Sequence, residues 1–234
     1  MCLFLLILAN KMRREIKSYV LRAGRLSPRQ ERGLVQWLPE YQLPDGVVWD
    51  IPAIFGRDAA TVVEIGFGMG ASLFLMAEAN PEINFIGIEV HRAGIGSLAA
   101  DLHDKAIQNV RIAPYDAVTV FQNQIKADSL AGIQIFFPDP WPKARHHKRR
   151  LIQSDFLQRL IDALEPGGFI HCATDWENYA EHMLAVLSVE PRLQNQAERY
   201  SPRPERRPLT KFEQRGQLLG HGVWDLLFCK RSLV

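Results

Sequence analysis

Short apolar runs alternate with amphipathic stretches along most of the chain. Thr61-Val62-Val63-Glu64-Ile65 is β-branched and ends at Gly66, which reads as a strand. Residues 72–80 follow with Leu73, Phe74, Met76 and Ala77 at helical spacing, and Pro81 stops them. The alternation repeats: strand over 84–89, helix over 94–104, strand over 110–113, a turn at Pro114-Tyr115-Asp116, helix over 117–126, strand over 133–137. Residues 151–164 place Ile152, Phe156, Leu160 and Leu164 on one helical face. The turn Glu165-Pro166-Gly167-Gly168 leads into a strand over 169–174, a helix over 178–188 and a last strand over 222–229. Strands alternating with helices predict an α/β domain with a mostly parallel sheet covered on both faces. Before the last strand no helical stretch intervenes, so residues 212–219 are expected to begin a hairpin partner, with one strand antiparallel.

The chain has 234 residues, 47% hydrophobic and 23% charged, enough for one soluble domain with a full core. The net charge of +2 excludes a global field, but the cations are clustered. Residues 11–32 hold eight Lys or Arg, residues 143–150 five and residues 199–215 six. Basic clusters on a near-neutral body are a footprint of phosphate binding. Residues 1–33 are expected to be a basic mobile arm and residues 34–234 a single domain. The apolar stretch 2–9 is too short to span a bilayer and has no basic residues before it, so translation is expected to start at Met12, with a short membrane-surface anchor as the alternative. Cys2, Cys172 and Cys229 form no CxxC pair and fit reduced thiols in the cytoplasm; no metal site and no membrane contact are expected.

Two stretches carry chemistry. Glu64-Ile65-Gly66-Phe67-Gly68-Met69-Gly70 joins the first strand to its helix, where glycines allow a sharp turn and close backbone approach to a ligand. Gly66, Gly68 and Ala71 also fit the dinucleotide pattern G-x-G-x-x-A. Glu64 discriminates: a carboxylate so close would repel a pyrophosphate and favour the ammonium and sulfonium of S-adenosylmethionine. Glu89 ends the second strand, where an acid reaches ribose hydroxyls, and Asp116 ends the third, within reach of an adenine amino group. The second stretch is Pro138-Asp139-Pro140-Trp141-Pro142-Lys143. It is a stiff loop at the carboxyl end of a strand, holding an acid, an indole and a cation together.

Glu64-x-Gly66-x-Gly68-x-Gly70, the Pro138 to Lys143 loop with the basic run after it, Ala173-Thr174-Asp175-Trp176 and Thr210-Lys211-Phe212-Glu213 together resemble the bacterial tRNA (guanine-N7-)-methyltransferases. The resemblance runs from about Tyr19 to the last strand. It implies a Rossmann-like class I methyltransferase fold with a seven-stranded sheet and an antiparallel edge strand. It implies S-adenosylmethionine as methyl donor, S-adenosylhomocysteine as product, and N7 of a variable-loop guanine of tRNA, position 46, as acceptor. By resemblance Glu64, Glu89, Asp116 and Asp139 face the cofactor with the glycines Gly66, Gly68 and Gly70, and Asp139 carries the catalytic role. Lys143, Asp175, Thr210, Lys211, Phe212 and Glu213 correspond to tRNA-substrate contacts. Arg145, His146, His147, Lys148, Arg149 and Arg150 correspond to the RNA-binding segment.

The chemistry fits that inventory. Guanine N7 has a free lone pair and no proton to lose, so alignment and charge stabilisation replace a general base. Asp139 can stabilise the charge arriving on the purine, with Asp175 or Glu213 as second acceptors for guanine N–H groups; Trp141 can stack on a base or pack. A nucleotide-dependent oxidoreductase and a non-catalytic RNA-binding protein on the same scaffold are the alternatives, and a monomer and a homodimer are equally compatible with the sequence.

Overall fold

The computed structural model describes residues 17–20, 24–209, 213–214 and 222–232. Its strands are β1 Thr61–Ile65, β2 Asn84–Ile88, β3 Val110–Ala113, β4 Leu130–Phe136, β5 Leu164–Thr174, β6 Leu193–Asn195 and β7 Trp224–Lys230. They form one sheet in the order β3-β2-β1-β4-β5-β7-β6. β3, β2, β1, β4 and β5 run parallel. β7 is antiparallel to both β5 and the short edge strand β6. The chain winds outward from β1 through β2 to β3, then returns to place β4 on the other side of β1. That reversal opens a crevice at the carboxyl ends of β1 and β4, where ligands of doubly wound sheets bind.

The helices are α1 Pro28–Arg32, α2 Leu38–Tyr41, α3 Ile51–Phe55, α4 Ala71–Ala79, α5 Arg92–Asp104, α6 Ala117–Asn123, α7 Ser154–Ala163 and α8 Glu177–Ser188. A core on one face joins Val63, Ile65, Ile86, Ile133 and Ile135 to Phe121 of α6, Leu160 of α7 and Met183 of α8. The opposite face joins Val62, Phe85, Val110 and Ile112 to Leu73 and Met76 of α4 and Leu98 of α5. Strands buried on both faces explain why the apolar runs read so plainly.

Three segments differ from the sequence reading. β7 pairs with β6; of residues 212–219, expected to begin its hairpin partner, Glu213 and Gln214 form a helical turn and the others lie outside the described residues. The turn at 165–168, exposed over 165–167, is an excursion within β5, whose pairing with β4 shifts register there. Part of the segment 11–33 is helix: Ser27 and Gln30 form a capping box around Pro28, and a π-helical turn, Gly33–Trp37, continues α1 into α2. This helix docks on α5. Arg29 bonds Asp101 (2.9 Å) and Asp104 (2.6 Å), and a Cβ on Gly33 would fall 1.9 Å from the Gly96 carbonyl oxygen. Among the described residues no helix is long and apolar enough to cross a membrane. Residues 1–16, which contain the apolar start, lie outside the described residues.

The contact between Gly33 and Gly96 leaves no room for a methyl group. Gly33→Ala should lower the thermal midpoint by about 3–10 °C and open the region to protease. An unchanged midpoint would contradict the docking of α1.

Candidate active site

The turn after β1 is built for close approach. Gly66, Gly68 and Gly70 have φ of 76°, 57° and 84°, and a Cβ on Gly66 or Gly68 would meet nothing within 4 Å. These two are glycine for backbone conformation, and their open side faces a cavity of about 300 Å³. Its wall includes Ile65, Gly66, Gly68, Glu89, Phe137 and Asp139. The Glu89 carboxylate ties the turn to the end of β2. Oε2 accepts from Gly68 N–H (2.9 Å), and Oε1 accepts from Val90 N–H (2.6 Å) and His91 N–H (2.9 Å).

Glu64 lies beneath the turn, buried within β1, and its Oε2 has no hydrogen-bond partner. Burial, and then the charge of Glu89, push its carboxyl up to about 8. Asp116 caps α6 by accepting from Val118 N–H (2.9 Å) and Thr119 N–H (3.3 Å), and its Oδ2 pairs with Lys17 (3.2 Å). It borders a neighbouring cavity with Lys17, while Tyr115 and Ala117 on either side of it reach the main one.

The loop after β4 begins at Phe137 (φ 50°) and closes at Trp141 (φ 47°), a left-handed backbone at two bulky residues. Phe137 N–H donates to the Ala173 carbonyl (2.7 Å), fastening the loop to β5. Arg150 Nε donates to the Pro140 carbonyl (2.9 Å). Asp139, between these anchors, is exposed and borders both the main cavity and a second one of about 600 Å³ that includes Met69, Gly94 and Trp141. The Trp141 indole is committed within the protein: Nε1 donates to the Ser18 carbonyl (3.0 Å), and the Arg149 guanidinium sits 3.9 Å over the ring. Arg149 also donates to the carbonyls of Lys17 (3.0 Å) and Tyr19 (3.2 Å). Residues 17–20 are thereby strapped beside the cavity, and Ser18 and Tyr19 form part of its wall.

The basic run forms tight helical turns, Ala144–Arg149. Lys143, Arg145 and Lys148 are exposed, whereas His146, His147 and Arg149 are half-buried. Desolvation and the neighbouring cations, Arg145 first, hold His146 below the usual imidazole range. Arg150 departs from the phosphate-facing role read from the sequence. It is 3% exposed, bonds Asn178 Oδ1 (2.7 Å) and stacks on Tyr179. A cation so enclosed pins the proline loop.

Asp175, half-buried, directly follows β5, which pairs with β4, the strand that leads into the Asp139 loop. Glu213 was read as a guanine acceptor, but it is buried and both its oxygens bond Arg207. Thr210, Lys211 and Phe212 lie outside the described residues. The sequence reading missed the strap residues Ser18 and Tyr19, and also Arg207, Asp225 and His171, which meet in one buried cluster. A histidine and an aspartate within otherwise apolar strands were the signal that could have found the cluster.

A family model described as "Putative methyltransferase" matches residues 58–226. A protein of Legionella pneumophila named tRNA (guanine-N(7)-)-methyltransferase is 63% identical over 228 residues, covering 95% of this chain and 96% of its own. One of the same name from Paraburkholderia xenovorans is 53% identical over 221 residues, covering 94% and 85%. The chain belongs to the tRNA (guanine-N7-)-methyltransferase family. Among solved structures, the 16S rRNA methyltransferase KamB superposes with a TM-score of 0.60 at 13% identity, covering 79% of this chain and 95% of its own, a likeness of fold.

The residues around the glycine turn have the chemistry to suit S-adenosylmethionine. An unpartnered buried carboxylate under a glycine turn suits a cationic group, and the open faces of Gly66 and Gly68 leave space for it. With its carboxyl at about 8, Glu64 holds a proton at neutral pH that a bound cation would expel. S-adenosylmethionine affinity should therefore rise about tenfold per unit between pH 6 and roughly 7.5, with uptake of about one proton by buffer at pH 7. Glu64→Gln should weaken binding and flatten that slope. Calorimetry in two buffers of different ionisation enthalpy reads both quantities, and a pH-independent wild-type affinity would contradict the assignment.

Proposed function

We propose that this chain transfers the methyl group of S-adenosylmethionine to N7 of a guanine in cytoplasmic tRNA, at variable-loop position 46. The observation that carries the reading is the placement of Asp139. It is the exposed acid of a doubly anchored loop, and it borders both the cavity beside the glycine turn and the larger cavity next to it. S-adenosylmethionine supplies an electrophilic methyl group.

The protein's share is orientation and charge. Glu89 fixes the glycine turn through its three backbone bonds, and Glu64 offers the buried negative charge. Asp139 faces the reacting groups from a loop that needs no rearrangement, so its carboxylate stabilises the positive charge that passes to the purine. Nothing here has to remove a proton from N7. Lys143, Arg145 and Lys148, exposed directly after that loop, supply phosphate contacts.

Undermodified tRNA incubated with labelled S-adenosylmethionine, followed by mapping of the methylated base, tests the reading: label at N7 of guanine 46 supports it, and label elsewhere or none contradicts it. Asp139→Asn should slow single-turnover transfer by about a hundredfold or more while the fold persists; a near-normal rate removes Asp139 from the mechanism. Lys148→Ala and Arg145→Ala should each lower the salt slope of tRNA binding by about 0.7–0.9. Arg150→Ala should leave that slope unchanged and lower the thermal midpoint instead.

A further inference from the structure

A second set of charged groups lies on the sheet beyond β4, and the transfer step as described makes no use of it. Arg207 is 1% exposed, although it belongs to a Pro/Arg-rich stretch that reads as surface. Its guanidinium makes four charge-assisted hydrogen bonds. Nη1 and Nη2 donate to the two oxygens of Glu213 (2.5 and 2.8 Å), and Nε and Nη2 donate to the two oxygens of Asp225 (2.8 and 2.9 Å). Asp225 Oδ1 also lies 2.7 Å from Nε2 of His171, which is buried in β5. One planar cation thus joins two carboxylates bidentately, an arrangement that lysine's single ammonium cannot copy.

The position of this fork in the chain gives it meaning. Arg207 and Glu213 flank residues 208–212, the stretch that holds Thr210, Lys211 and Phe212. Both flanks are tied to one guanidinium. Through Asp225 they are tied to β7, where Asp225 pairs with Ala173, two residues before Asp175. The guanidinium carbon also lies 5.7 Å from the ring of Phe137, the first residue of the Asp139 loop. Glu213 is 2% exposed, so a purine reaching its carboxylate would have to open the packing that encloses the Arg207 pair.

We propose that Arg207 is a positioning residue: by holding Glu213 and Asp225 at once it ties the chain at 207 and at 213 to β7, next to Phe137 at the start of the Asp139 loop, and Glu213 acts through Arg207 and not on the guanine. The proposal rests on the methyl-transfer reading above. It assigns Arg207 a role in the reaction and moves Glu213 from the substrate to the frame.

The test uses the full chain and four proteins: wild type, Arg207→Lys, Glu213→Gln and the double variant. Each is assayed for single-turnover transfer at saturating tRNA and for S-adenosylhomocysteine affinity by calorimetry. Transfer is also measured on tRNA whose target guanine is replaced by inosine, which lacks the 2-amino group. Each single substitution should slow transfer by about tenfold to a hundredfold with cofactor affinity unchanged. The double variant should be no slower than the slower single, because both changes break one fork. Glu213→Gln should keep the wild-type ratio of guanosine to inosine rates. Single variants at the wild-type rate, losses that multiply in the double variant, or a collapsed guanosine preference in Glu213→Gln would each overturn the proposal. If Arg207→Lys loses cofactor binding through misfolding, the nearly isosteric Glu213→Gln decides by its rate and its inosine ratio. A wild-type protein that methylates no tRNA would instead overturn the underlying reading.

Discussion

Two bulky residues, Phe137 and Trp141, hold left-handed backbone at either end of the loop that presents Asp139. Each such residue costs about 1–3 kcal/mol and persists only where its surroundings enforce it. The enforcement is visible bond by bond: the Ala173 carbonyl takes Phe137 N–H, Arg150 holds Pro140 from below, and Ser18 and Arg149 enclose the Trp141 indole. Removing any of these would leave the loop free to relax, and with it the carboxylate. The strain is best understood as the means by which a surface aspartate keeps one position between two cavities.

Around this loop, four acids that look interchangeable in a motif list do different work. Glu89 spends its lone pairs largely on backbone amides and so shapes the glycine turn. Asp116 caps a helix and holds Lys17, tying the strap to α6. Glu64 has an oxygen without a partner in a dry place, the mark of a group whose complement arrives with a ligand. Asp139 alone is exposed to both cavities. The glycines complete the division: Gly94 packs so tightly under the turn that a Cβ there would lie 1.8 Å from the Gly68 carbonyl oxygen.

Five parallel strands and the two signature loops were legible because their signals are local. A β-branched run such as Thr61 to Ile65 needs no tertiary information, and three prolines in five positions leave few conformations. What could not be read depended on partners distant in sequence. The capping box at Ser27 lay within a cluster of cations that looked like a solvated arm, and docking on Gly96 decided its conformation. β6 is three residues long with no alternation to detect. Arg150 was indistinguishable from Arg149 in a run of charge, yet Asn178 and Tyr179 enclose one while the other lies over Trp141. Glu213 sits in a recognisable motif, but its partner Arg207 is fixed by Asp225 on a strand further along the chain.

The central claim is that Asp139 stands where the methyl donor and the purine meet. A structure of the full chain with S-adenosylhomocysteine and tRNA bound tests it most directly. The account predicts the homocysteine sulfur beside the glycine turn, the target guanine with N7 directed at that sulfur, and the Asp139 carboxylate in contact with one or both. A complex in which the guanine binds elsewhere, or in which Asp139 touches neither, would contradict it.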